Sequence, residues 1–203
     1  QAIIFEESNP AMYIVGGAVG AGWEPTAAAL MSLYDEESKT MFETFEYITV
    51  AGDGFKFIPT NIDWVNAYGK GTTEGTLMQD EDAGNLTVPL DGFYRVRMDA
   101  EGLTYELLQL SMGIIGDATP GEWTKDTPMN FSGGKGTYVW EVLVNLIPGK
   151  IKFRANADWA INFGGTADDI TQGGADIDVA TAGMYLIKLD LTPGAYKASF
   201  EKQ

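Results

Sequence analysis

The sequence contains no cysteine and no histidine. Without cysteine there is no disulfide, no thiol nucleophile and no thiolate zinc site. Without histidine the commonest general base and the commonest transition-metal ligand are both missing. Ser-His-Asp and Cys-His mechanisms are therefore excluded, which leaves carboxylate, lysine or tyrosine chemistry. Basic residues are also scarce, 13 against 29 acidic ones, for a net charge of −16. That imbalance repels phosphate backbones and anionic membrane surfaces, so nucleic acid is not expected as a partner. No apolar run reaches the roughly 20 residues of a membrane-spanning helix. No segment carries an amphipathic helical stripe, and no signal peptide is recognisable. The opening stretch QAIIFEESNP reads as a strand or linker entered from something upstream, so that residues 1–11 form a linker or the end of an earlier domain.

What is present is apolar and rich in turns. The chain has 203 residues, 45% of them hydrophobic and 12% aromatic, enough for a packed core. The 25 glycines and 8 prolines predict many turns between short strands.

The chain also resembles itself. MYIVGGAVGAGWEP, starting at Met12, is answered by MGIIGDATPGEWTK, starting at Met112, with Gly16 matching Gly116 and Trp23 matching Trp123. FKF at 55–57 answers IKF at 151–153, and DW at 63–64 answers DW at 158–159. DGFYRVRMD at 91–99 answers AGMYLIKLD at 182–190, and Tyr105 answers Tyr196. The spacing between matches falls along the chain, so the first copy carries the longer loops, after Trp23 and again after Trp64. Within each copy the apolar period is two; Trp140, Val142, Val144 and Leu146 share one face of TYVWEVLVNL. These patterns predict an all-β protein built of two tandem immunoglobulin-like β-sandwich modules, at 12–110 and 111–203. Only Ser111 stands between them as a candidate hinge, which predicts a fairly fixed arrangement.

Of the five tryptophans, Trp140 lies in phase with valines mid-strand and is assigned to the core, with Phe45 as its counterpart. Trp23, Trp64, Trp123 and Trp159 instead sit among Asp, Asn, Gly and Thr in turn-rich segments, where an indole can stay accessible. In KIKFRANADW the alternation turns Ile151 and Phe153 one way and Lys152 and Arg154 the other. An ammonium and a guanidinium thus share one face shortly before Trp159. Two aromatic plates beside fixed donors suit a neutral, hydroxyl-rich ligand; alternatively the two cations solvate an exposed sheet face. The matching segment GFKFIPTNIDW keeps Lys56, has Ile58 in place of Arg154, and inserts one residue before Trp64. The first site is therefore expected to be weaker or differently tuned.

The run IIGDATPGEW, followed by IKFRANADWAINFGG, resembles the tandem C-terminal modules of SusE/SusF-type proteins, surface starch-binding lipoproteins of Bacteroidetes polysaccharide-utilisation systems. The resemblance covers about residues 12–203 and is fuller in the second copy; the first departs at GGAVGAGW and KFIPTN. It implies non-catalytic carbohydrate-binding β-sandwich modules whose sites pair non-coplanar aromatics with Lys or Arg donors. Carried to this chain, these are Trp123, Trp159, Lys152 and Arg154, with Asn162 as an extra polar contact, and Trp23, Trp64 and Lys56 in the first copy. It also implies a monomer at the cell surface, lipid-anchored in the outer membrane through an N-terminal region absent from this chain, beside other outer-membrane glycan-uptake proteins. The implied ligand is a polysaccharide or oligosaccharide, an α-glucan for preference, whose natural curve an arc of two rings would suit.

Two other classes compete. A structural or adhesive surface module would hold these tryptophans buried or at a protein interface. A glycosidase would use paired carboxylates, but pairs such as Asp168–Asp169 and Asp80–Asp82 arise by chance among so many acids. The acidic stretches QDEDAGN and GGADID lack the spacing of an EF-hand loop, so neither a metal nor another cofactor is expected. A few aromatic contacts and hydrogen bonds predict a single-site Kd on the order of 0.1–1 mM, improved on a polymer by multivalency.

Overall fold

The computed structural model describes residues 10–203, so most of the expected linker, residues 1–9, lies outside the described residues. The described chain is all-β. Strands in the first half are β1 (Tyr13–Val15), β2 (Ala29–Leu30), β3 (Ser32–Leu33), β4 (Met41–Ile48), β5 (Lys56–Ile58), β6 (Tyr68–Lys70), β7 (Leu77–Gln79), β8 (Gly92–Asp99) and β9 (Thr104–Gln109). Those that follow are β10 (Met112–Ile115), β11 (Thr127–Pro128), β12 (Asn130–Phe131), β13 (Val139–Leu146), β14 (Gly149–Ala155), β15 (Asn162–Thr166), β16 (Asp169–Gln172), β17 (Ile177–Val179), β18 (Gly183–Asp190) and β19 (Lys197–Lys202). A 3-10 turn at Pro25–Ala27, opened by its proline, is the sole helical element among the described residues.

The strands form four sheets, with orders β2-β1-β5-β6-β7, β3-β4-β8-β9, β11-β10-β14-β15-β16 and β12-β13-β18-β19; β17 adds to β14. Among the described residues the strands pair antiparallel, the arrangement of β-sandwich modules. By internal contacts the chain separates into two compact units. The first comprises the chain through Thr44, Ile48–Asp91 and Arg95–Leu108; the second comprises Phe45–Tyr47, Gly92–Tyr94 and Gln109–Gln203.

Alternation explains the strands. On β13, Trp140, Val142, Val144 and Leu146 are buried, and across the ladder Trp140 faces Leu189, Val142 faces Ile187 and Val144 faces Tyr185, all buried. Each such side chain contributes roughly 1.5–3 kcal/mol on burial. Trp140 and Phe45 both lie in the core, as the pattern predicts.

Strand β14 departs from expectation. Ile151 and Phe153 are fully buried, and Lys152 and Arg154 are also buried, at 8% exposure each. Their face is covered rather than solvated, because both cations find partners within the fold.

Candidate functional site

The loops carrying Trp23 and Trp123 are built alike. Each leaves its first strand through a glycine, Gly16 or Gly116, that packs directly on backbone. A Cβ would fall 2.4 Å from Gly54 O at Gly16, and 2.1 Å from Lys150 O at Gly116. The Gly16 N–H donates to Gly22 O at 2.8 Å, and that of Gly116 to Glu122 O at 2.9 Å. Val19 N–H and Thr119 N–H then donate back to Gly16 O and Gly116 O. The residue before each tryptophan is left-handed, Gly22 at φ 62° and Glu122 at φ 48°. Glycine accepts that conformation without strain, whereas glutamate does not. The repeated glycine and its spacing to tryptophan thus encode one loop geometry.

The DW pairs have an equally local cause. Asp63 Oδ1 accepts the Val65 N–H at 3.1 Å, and Asp158 Oδ1 accepts the Ala160 N–H at 2.7 Å. These are Asx-turns, in which the carboxylate supplies the acceptor that bends the chain around the following residue. Each turn projects its tryptophan towards the one from the glycine loop.

The result is two indole pairs. Trp23 and Trp64 have ring centroids 5.9 Å apart with planes 43° apart, and Trp123 and Trp159 are 6.3 Å apart at 33°. Trp23, Trp123 and Trp159 are 36%, 39% and 48% exposed, and Trp64 is half-buried. The first pair opens on a depression of about 410 Å³, lined also by Asp53, Lys56, Glu81 and Asn85.

Lys56 lines the depression at the first pair and Arg154 and Asn162 contact Trp159, but these and Lys152 are all engaged within the fold. Lys56 Nζ donates to Glu81 O at 2.7 Å. Lys152 Nζ donates to Gly174 O and lies 3.6 Å from Asp176 Oδ1. The acidic stretches QDEDAGN and GGADID are therefore each reached by a buried lysine ammonium. Among the described residues no cluster of three or more acidic side chains is placed to hold a metal. Asn162 Nδ2 donates to Trp159 O at 2.8 Å, securing the turn that carries the indole. Arg154 is gripped by Asp126, with Nη2 2.6 Å and Nε 2.9 Å from Oδ1, and its Cζ lies 4.7 Å from the Trp159 ring centroid. That stacking is worth on the order of 1 kcal/mol. The acids considered for hydrolysis, Asp168, Asp169, Asp80 and Asp82, are exposed.

Asp126 was not legible as a site residue. Its signals are its place three residues after Trp123 and the glycine at 113, opposite Arg154 in the β10–β14 register. A glycine inside a strand marks close approach, and a Cβ at Gly113 would meet the Asp126 side chain at 3.1 Å.

No protein-family model matches the chain, and no curated protein matches it. Among solved structures the chain is similar to SusF from Bacteroides thetaiotaomicron, at 21% identity and a TM-score of 0.41. The alignment covers 98% of this chain and 50% of that one, so the chain spans half the length of that protein.

Proposed function

We propose that this chain is a non-catalytic glycan-binding protein whose ligand, an α-glucan for preference, is held by its tryptophan pairs. The observation that carries this reading is the accessible, non-coplanar indole pair, present once in each compact unit and built by the same loop and turn hydrogen bonds. A sugar ring lays its C–H face on an indole, and two plates inclined at 33° or 43° follow a curved chain better than a flat one. A purely structural module holding these rings in its core would have them buried. Instead three of the four are more than one-third exposed.

On this reading the chain carries tandem carbohydrate-binding modules, at 12–110 and 111–203. Trp123, Trp159, Lys152, Arg154 and Asn162 form one site, and Trp23, Trp64 and Lys56 the other. The engagement of the lysines and the arginine makes them anchors of the platform as much as donors to the sugar. The resemblance in the sequence extends the proposal to a monomer on the outer-membrane surface, held there by a lipid anchor upstream of this chain and working with other glycan-uptake proteins. Calorimetry with maltoheptaose and with amylopectin tests it. The expected outcome is a Kd on the order of 0.1–1 mM for the oligosaccharide and tighter binding to the polymer. Equal affinity for both would remove the multivalent part, and no heat with either would remove the α-glucan.

A further inference from the structure

The two indole pairs rest on chemically opposite beds. In the second unit Trp159 lies over Arg154, which is clasped by Asp126, and both side chains are largely buried, at 10% and 14% exposure. Gly113, opposite Arg154 in the register, leaves the room that the clasp occupies. The registers of the first unit place Tyr13 opposite Ile58, where the second has Gly113 opposite Arg154. They also place Ile14 opposite Ala29 where the second has Ile114 opposite Thr127, so Ala28 stands where Asp126 does. Counting from the DW turns, Ala67 stands where Asn162 does. These four residues belong together: Val15, Ile58 and Ala67 form a buried apolar cluster against which Tyr13, Ala28 and Trp64 pack. Arginine, aspartate, glycine and asparagine have been exchanged for isoleucine, alanine, tyrosine and alanine as a set.

We infer that Asp126 is a positioning residue: seated over Gly113, it orients Arg154, and Arg154 in turn fixes the plane of Trp159 as a ligand platform, a task the first unit performs by apolar packing. A carboxylate clasping a guanidinium through Nε and Nη2 holds it in one plane, and an indole stacked on that plane inherits its orientation. An apolar bed holds Trp64 by shape alone, without that directional constraint. This rests on the reading of the indole pairs as glycan platforms, and it assigns Asp126 and Gly113 a role at the site.

The test uses the whole chain labelled with 5-fluorotryptophan, in a Trp23→Ala background so that the second site alone reports. Fluorine NMR resolves the four remaining indoles, assigned by single Trp→Phe changes, and maltoheptaose is titrated in. The double variant Arg154→Ile/Asp126→Ala installs the equivalents of Ile58 and Ala28 and leaves no buried charge unpaired. Its Trp140 resonance should stay in place as the folding control. The Trp159 resonance should move towards the position of free fluorotryptophan, and maltoheptaose affinity should fall about tenfold. The isosteric Asp126→Asn, which can still accept from Arg154 but lacks the charge, should give a smaller shift and a loss of roughly threefold. It carries the test if the double variant does not fold. A Trp159 resonance unchanged in both variants would overturn the proposal, even with weakened binding, because Arg154 would then act as a direct donor. If wild type binds no maltoheptaose while the variants still move Trp159, the positioning role stands and the α-glucan reading fails.

Discussion

Substituting alanine at Gly116 tests whether the glycine loop is the structural origin of the Trp123 platform. The new Cβ would sit 2.1 Å from Lys150 O, 2.7 Å from Ile151 Cα and 2.9 Å from Lys150 C. All three are backbone atoms of β14, so no side chain can swing aside and the β10–β14 junction must widen. Overpacking of this kind costs about 1–3 kcal/mol. The φ of 145° at Gly116 adds strain for any L-residue, again about 1–3 kcal/mol. A total near 3 kcal/mol, divided by a urea m-value of about 2 kcal/mol/M, lowers the unfolding midpoint by about 1.5 M. Urea titration followed by tryptophan emission reads this directly. Gly134→Ala is the control, since a Cβ there meets nothing within 4 Å. If the Gly116→Ala and Gly134→Ala midpoints agree within about 0.2 M, the close-packed glycine does not hold the loop and the argument fails.

Trp159→Ala should weaken maltoheptaose binding by the second site about five- to tenfold while costing under about 1 kcal/mol of stability, because its ring is already half in water. Trp140→Ala should do the reverse, losing about 3–5 kcal/mol in urea unfolding through a core cavity. Glu122→Gly should stabilise by about 0.5 kcal/mol, relief of left-handed strain slightly exceeding the added freedom of the unfolded glycine; a destabilised variant would contradict that balance. Tyr138 makes 2.8 Å hydrogen bonds to both carboxylate oxygens of Glu46, and burial, reinforced by the Glu46 charge, pushes its phenol well above the ordinary range. The folded state therefore holds that proton more tightly than the unfolded state. The resulting stability is complete below the unfolded phenol pKa of about 10 and is lost as pH rises through and beyond it. Tyr138→Phe should flatten this alkaline limb in pH-dependent thermal melts, and an unchanged limb would assign it elsewhere.

What could be read from the sequence was local. The alternation in 139–146 places Trp140 inside, because burial along a strand depends on neighbours two residues away; the polar, turn-rich flanks place Trp23, Trp123 and Trp159, all outside the strands, at the surface, whereas Trp64, with similar flanks, is half-buried. The partners of Lys152 and Arg154 were not legible for the opposite reason. Gly174 and Asp126 lie 22 and 28 residues from them and meet them only once the sheet register is set. Alternation gave both cations one shared face but could not say that this face is covered. Ile58 reads in isolation as a lost donor. Beside Tyr13, Ala28 and Ala67 it is one part of a different support for Trp64.

The central claim is that these exposed indole pairs hold a glycan. Native affinity electrophoresis tests it most directly, with gels containing amylopectin, dextran, xylan, inulin or no glycan, and with wild type run beside Trp123→Ala and Trp23→Ala. The account predicts that amylopectin retards wild type and that Trp123→Ala removes most of the retardation, with a smaller loss for Trp23→Ala. Retardation by a different glycan would keep the platforms and change the ligand. Wild-type mobility identical in every gel would contradict the claim and leave the paired tryptophans without a ligand.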